Sequence, residues 1–342
     1  MNNTSNYFDS YFSSVLKNVP QKRLEPEQPL IEIDRFKNVG LSFYDCPDLH
    51  NLQQMNALEY LLPRTEEKIL VNISEPVHRK MIDFLKYWQN DKIIFFADMV
   101  SDQYKDLFKT NISWFIGAEN VYAEYNICKE WLKQLYVNDW QKPYMFDCLL
   151  GRSRPHRDHL YKQIKKSKFI DNILYTYYRS NDHLSKGIWD NKNYIFQEEI
   201  QFADPRGINI GVTRYARLPV SIYNQSYYSI VSETSVSNDF NQYTEKVAKP
   251  VVAMRPFIAF CGQHYLKNLR KLGFKTFRNV IDESYDDIGY DHERWELAWD
   301  QVEWLCEQDP ESIYNELHSV LVHNKKHFLE TDWRKKIKQV FL

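Results

Sequence analysis

Several groups of residues carry side chains that can do chemistry, and each lies where an apolar run ends. Glu233 follows the run Ser229-Ile230-Val231-Ser232, and across a polar loop comes Tyr243-Thr244-Glu245-Lys246. A carboxylate can accept two ribose hydroxyls, and an ammonium beside a helix N-terminus suits a phosphate. The same spacing also fits a plain helix start, with Thr244 as N-cap and Glu245-Lys246 as a solvated first turn. Arg152, Arg154, His156 and Arg157 follow the run Tyr144–Leu150, with Pro155 at or near the first helical position. Guanidinium grips two phosphate oxygens and stays charged, so this loop reads either as a pyrophosphate dock or as a solvated sheet edge. Glu75 and Asp98 each close an apolar strand. A carboxylate so placed can take the proton of an attacking hydroxyl, or be an exposed turn residue.

The elements that must position these residues follow an α/β rhythm. Lys68–Ile73 reads as a buried strand, residues 78–90 as an amphipathic helix and Lys92–Ala97 as the next strand, a βαβ unit. Ile112–Phe115 reads as a further strand and 120–136 as a helix. The pattern restarts after Lys142-Pro143 with strand Tyr144–Leu150, a helix through Leu160 and Ile164, and a strand over Phe169–Tyr177. Residues 180–227 read as irregular. Strand 229–232, a helix opening at Thr244, strand Pro256–Phe260 and a basic helix from about His264 to Leu272 complete the second half, and two helices follow Asp291. The expected division is an N-terminal arm over 1–30, α/β domains over 31–141 and 142–290, and C-terminal helices over 291–342. In a parallel sheet the loops at the carboxyl strand ends gather on one edge, where ligands bind.

The 342 residues suffice for two domains with their own cores. A net charge of −2 supplies no global field toward nucleic acid or an anionic membrane. Glycine, at 9 residues, is too scarce for a Gly-rich phosphate loop. The 5 cysteines form no CxxC pair, which argues against structural zinc and for a reducing compartment. No apolar run reaches membrane-spanning length, because Arg255 interrupts Val251–Phe260, and Met1–Ser5 lacks a signal-peptide pattern. The expectation is a cytoplasmic protein without a membrane span. There is no Asp-x-Asp motif to hold a divalent ion on a diphosphate. His323 and His327, four apart among lysines, read as a solvated helix face rather than metal ligands. The clusters Lys165-Lys166-Ser167-Lys168, Lys267 with Arg270-Lys271, and Arg334-Lys335-Lys336 could line a DNA channel, or each be a helix C-terminus meeting its macrodipole.

The stretch Glu233-Thr234-Ser235, Asp239-Phe240, Tyr243-Thr244-Glu245-Lys246 and Lys249-Pro250 resembles the donor-site signature of α-1,3-fucosyltransferases. In that family an E-N-S triplet precedes an acidic-aromatic loop and a T-E-K triplet. Here Thr234 replaces the asparagine and the loop is longer. The stretch is also similar to phage-encoded glycosyltransferase-like proteins, which share E-K-x-x-K-P and a later G-F-x-T-F and D-E-S-Y-D. The last motif, Asp282–Asp286 here, is expected to cap the helix that follows it.

The resemblance implies a GT-B-like fold, two Rossmann-like α/β domains facing a cleft with C-terminal helices. It implies transfer of a sugar from a nucleotide-diphosphate donor to an acceptor hydroxyl, inverting and without a metal or other cofactor. The donor contacts would be Arg152, Arg157, Glu233, Ser235, Tyr243, Glu245 and Lys246. Ile73-Ser74-Glu75-Pro76 is similar to the family's F-E-S-P tetrad, which makes Glu75 the expected base, with Asp98 as the alternative. The expected acceptor is a glycan. Alternatives are a hydroxymethylated pyrimidine in double-stranded phage DNA, reached by base flipping, and a non-catalytic binding or virion protein that kept the fold.

Overall fold

Apolar, β-branched strands alternate with helices whose buried positions recur at helical spacing, and the backbone follows that alternation. The computed structural model describes residues 132–178 and 218–331, apart from 235, 237 and 239–242, with backbone alone at 152 and 178. It also describes Pro63 and the backbone of the strands at 21–24, 28–33, 36–41, 68–73, 93–97, 110–111 and 189–191. The chain divides into two compact units, one of residues 1–114 with 332–342 and one of residues 115–331.

In the first unit, strands β1 (Gln21–Leu24), β2 (Gln28–Ile33), β3 (Phe36–Leu41), β4 (Lys68–Ile73), β5 (Ile93–Ala97) and β6 (Thr110–Asn111) pair in sequence order. The first two pairings are antiparallel and the rest parallel. The strands expected at 68–73 and 92–97 are adjacent and parallel, as a βαβ unit requires. β1 and the first residues of β2 fall in the segment 1–30 read from sequence as an arm; its Pro26 and Pro29 suggested no strand. The helix expected over 78–90 and the strand at 112–115 lie outside the described residues, as does most of the helix expected over 120–136.

The second unit contains β7 (Tyr144–Arg152), β8 (Ile173–Tyr178), β9 (Trp189–Asn191), β10 (Ser226–Ser232) and β11 (Phe257–Phe260). They lie in the order β11-β10-β7-β8-β9, and all but the edge strand β9 are parallel. Helix α1 (Pro155–Lys166) links β7 to β8, α2 (Val220–Gln225) leads into β10, and α3 (Glu245–Val252) links β10 to β11. After β11 come α4 (Tyr265–Lys271), α5 (Asp291–Cys306) and α6 (Pro310–Glu330). This is one α/β region with a four-stranded parallel sheet and flanking helices.

Three boundaries depart from the sequence reading. The strand expected over Phe169–Tyr177 begins only at Ile173, because Ile170–Asn172 form a 3-10 turn. Segment 180–227, read as irregular, contains β9, α2 and the first residues of β10. The strand expected at 229–232 therefore starts earlier, at Ser226, and all seven residues of β10 are buried.

Lys165 and Lys166 occupy the last turn of α1, and Arg270 and Lys271 that of α4. Those two basic clusters sit at helix C-termini, where the macrodipole favours cations. Arg334–Lys336 lie outside the described residues. His323 and His327 are not simply solvated. Their Nε2 atoms lie 3.0 Å from the Gly273 carbonyl and 2.9 Å from the Leu272 carbonyl, closing the C-terminal end of α4. Gly273 has φ +98, and a Cβ there would stand 2.7 Å from the His327 ring, so the turn requires glycine. Asp286 does not cap the helix after it. Its carboxylate accepts from the Leu266 and Lys267 amides at 2.8 Å, capping the preceding helix α4. No described helix is long and apolar enough to cross a membrane.

Beneath the amino ends of β10 and β11 lies a buried ion pair. Arg255 donates through Nη2 to Asp147 at 2.6 Å and through Nε to Ser229, and it reaches the carbonyls of Tyr223, Ser226 and Tyr228. Ser226 and Ser229 donate to the same Asp147 oxygen. Removing one partner of such a pair leaves an uncompensated charge. Arg255→Met should therefore lower the unfolding free energy by about 3–5 kcal/mol, measured by urea denaturation. A loss below about 1 kcal/mol would contradict this account.

Candidate functional site

Chain order sets where a ligand can enter this sheet. From β7 the chain moves toward β8, whereas from β10 it moves the other way, to β11. Right-handed crossovers then put α1 and α3 on opposite faces, and the loops leaving β7 and β10 part company. A crevice outside the carboxyl ends of two such strands is the usual ligand site of an open α/β sheet. Most sequence-predicted residues of the second unit flank this point.

Glu233, directly after β10, organises it. The residue is fully buried. Its Oε1 accepts from the Thr244 amide at 2.9 Å and the Tyr265 hydroxyl at 3.0 Å, and its Oε2 accepts from the Thr244 hydroxyl. Burial pushes the carboxyl above its ordinary range, against the pull of Lys246 and the Thr244 hydrogen bonds. Its backbone carbonyl accepts from His156 Nε2 at 2.9 Å and Arg157 Nη2 at 3.2 Å. One residue thus ties β10 to the N-termini of α1 and α3 and to α4. In this arrangement the Glu233 carboxylate faces the protein and positions its neighbours.

Thr244 is the N-cap of α3, its hydroxyl accepting from the Lys246 amide at 3.2 Å. The helix-start reading of the triplet therefore holds. The side chains beyond the cap also converge. Lys246 Nζ donates to Glu245 Oε1 at 2.7 Å, Thr234 Oγ1 at 3.2 Å and Thr244 Oγ1 at 3.3 Å. The Lys246 side chain remains 26% exposed, half-buried at the switch point. Burial acts to raise the Glu245 carboxyl, but the Lys246 and Lys249 charges outweigh it and hold it below its ordinary range. Tyr243 is buried and spends its hydroxyl on the Tyr265 carbonyl, its ring 4.7 Å from that of Tyr265. Ser235 and the side chain of Arg152 lie outside the described residues, as do Glu75 and Asp98.

On the β7 side, Arg154 is exposed at the N-cap of α1 with Pro155 at its start. Ser153 donates to the Asp158 carboxylate at 2.8 Å, and Tyr177 donates to it at 2.6 Å, which fixes the loop. Arg157 is buried beside the strand end, where a Cβ on Gly151 would stand 3.8 Å from its Nη1. The structure brings Arg157, Glu233, Tyr243, Glu245 and Lys246 around one strand junction. Lys246 and Glu245 are half-buried and the other three are buried.

Sequence reading missed two contributors. Arg294, buried on α5, donates from Nε to the Cys261 carbonyl at 3.0 Å and from Nη1 to the Ile288 carbonyl at 2.6 Å, and it pairs with Asp291. Its position beside Trp295 in the apolar stripe was the available signal. The other is Ser232, the last residue of β10, whose buried Oγ has no hydrogen-bond partner. Among the described residues no cluster of three or more His, Cys, Asp or Glu is arranged to hold a metal ion.

Compared with protein-family models, with curated proteins and with solved structures, the chain matches none.

His156 gives the site a pH dependence. Burial and the adjacent Arg157 charge lower its pKa from 6.5 to about 4, so at neutral pH it is uncharged and Nε2–H donates to the Glu233 carbonyl. Between those values the unfolded chain binds a proton that the folded chain refuses. The contribution is complete above pH 6.5 and lost as pH falls toward about 4. It should amount to up to about 3 kcal/mol. His156→Gln, which keeps a donor for the carbonyl, should flatten this acid limb in denaturation curves taken across that range. An unchanged limb would assign the acid sensitivity elsewhere.

Proposed function

We propose that this chain is a glycosyltransferase that moves a sugar from a nucleotide-diphosphate donor to an acceptor hydroxyl, with the donor diphosphate held at the switch point between β7 and β10. The observation that carries this reading is the position of Lys246. Its ammonium is steered by Glu245, Thr244 and Thr234 to the N-terminus of α3, on a side chain that is only half-buried beside the β10 end. The resemblance of the Glu233–Pro250 stretch to the fucosyltransferase signature supports the same residues as donor contacts.

In this reading Lys246 meets the diphosphate oxygens, where an ammionium compensates charge that grows as the leaving group departs. Glu245, kept ionised by Lys246 and Lys249, accepts from a ribose hydroxyl. Arg157 and Glu233 act from beneath, fixing the ends of α1 and α3. The GT-B-like pairing of two Rossmann-like domains belongs to the same proposal, with the acceptor, a glycan, served by the N-terminal half. There the acceptor oxygen attacks the anomeric carbon while Glu75, or Asp98 in its place, takes its proton. The bond from that carbon to the phosphate oxygen breaks, its electron pair leaves with the nucleoside diphosphate, and the configuration inverts.

A panel of nucleotide-diphosphate sugars in a thermal-shift assay tests this directly. The cognate donor at a hundredfold excess over its Kd should stabilise the protein by about 2.7 kcal/mol, a shift of several degrees. Lys246→Ala should abolish that shift, measured against the variant's own unliganded Tm. A panel in which no nucleotide sugar moves the Tm would overturn the reading.

A further inference from the structure

Two cations converge at the amino ends of the second sheet's strands, the edge opposite the Glu233 junction. Lys142, just before β7, donates through Nζ to the Tyr223 carbonyl at 3.0 Å and the Ser226 carbonyl at 3.3 Å. Arg255 Nη1 donates to the same two oxygens, at 3.0 and 2.8 Å. Both nitrogens stand 3.0 Å from the Tyr223 oxygen, so at most 6.0 Å separates them. Positive charges that close repel, and away from bulk water they are poorly screened.

The carboxylates nearby do not offset both charges. Asp147 is buried and engaged by Arg255 Nη2 and by the Ser226 and Ser229 hydroxyls. Asp139, on the loop before β7, is exposed and accepts from the Gln141 amide at 3.0 Å. Among the described residues none forms a salt bridge with Lys142. The Tyr227 ring lies 5.7 Å from the ammonium, and Tyr314 of α6 spends its hydroxyl on the Tyr227 carbonyl. Burial and the Arg255 charge, working against Asp139 and Asp147, lower the Lys142 pKa from 10.5 to about 8.

Beside this amine lies a cavity of about 10 Å³, room for one water-sized particle and partly open to solvent. Lys142, Arg255 and Asn224 contribute polar groups to its wall, and Leu135, Tyr136 and Tyr314 contribute apolar surface. Arg255 has spent its donors on protein oxygens. Lys142 has three N–H groups and uses two of them. Asn224 Nδ2 uses one of its two hydrogens, on the Gln134 carbonyl at 2.8 Å.

We propose that this junction binds a single halide-sized anion, chloride in ordinary solution, between Lys142 and Asn224. A phosphate or carboxylate is too large for the space, and a cation would meet two positive charges. The anion supplies the counter-charge that Asp147 alone does not, so it stabilises the attachment of the 132–143 loop to α2 and β10. The site lies at the other edge of the sheet from Lys246 and does not depend on the donor reading.

Thermal unfolding of the full chain, with sodium gluconate exchanged for sodium chloride at constant ionic strength, tests this. At neutral pH chloride should raise the Tm by a few degrees, saturating as one site fills. Lys142→Met, which removes the charge and keeps most of the stem, should lose that response. In the unaltered chain the response should fade above about pH 8, as the amine gives up its proton. That fading decides the matter even if the variant fails to fold. Chloride and gluconate acting alike would overturn the site. So would an equal chloride response in Lys142→Met, or one that persists undiminished into the ordinary lysine range.

Discussion

A buried carboxylate at the end of a central strand is the constraint on which the rest of this region depends. Glu233 has no exposed surface, so its oxygens must be satisfied by protein. Three donors from Thr244 and Tyr265 do this, and they belong to segments that only the folded chain brings together. The same residue's carbonyl collects His156 and Arg157. Any displacement of β10 would strand several buried polar groups at once. The N-termini of α1 and α3 are therefore held at fixed positions, and Lys246 inherits its location from that fixing.

The Arg255–Asp147 pair does corresponding work at the amino ends of the strands. Arg255 precedes β11, Asp147 sits in β7, and Ser226 and Ser229 belong to β10, so the network spans three neighbouring strands. A buried ion pair is weak as a source of stability but costly to mispair. Its value here is order: β10 must lie between β7 and β11 for all donors to be met. That strand order is also what creates the switch point. One polar network thus selects the topology, and the other builds the site that the topology provides.

Much of the fold was legible locally. Tyr144–Leu150, Lys68–Ile73 and the α5 stripe through Trp295, Trp299 and Val302 carry periodicities that survive into the structure. One failure was local: Asp171-Asn172, residue types favoured in turns, interrupt the apolar pattern of Phe169–Tyr177 where Ile170–Asn172 form a 3-10 turn. The others share a cause. His323 and His327 looked solvated because their partners, the carbonyls at 272 and 273, are some fifty positions away. Asp286 was assigned to the wrong helix because capping is usually local, and here the acidic segment folds back onto the helix before it. Asp147 in an apolar strand and Arg255 in an apolar run were each visible as anomalies, but their pairing was not.

For the site, residue types and spacing determined which side chains can do chemistry and that they stand at strand ends, because strand and helix periods are local properties of the chain. They also determined that Thr244 begins a helix, since a hydroxyl N-cap acts within its own turn. Which of those side chains face solvent was decided only by tertiary structure. Glu233 and Lys246 carry complementary charges beside the same helix end, yet one is enclosed and the other half-buried. The difference comes from Tyr265 and Thr244, which close over the carboxylate from distant positions. Burial is a property of neighbours, and neighbours across long loops are not written in local spacing.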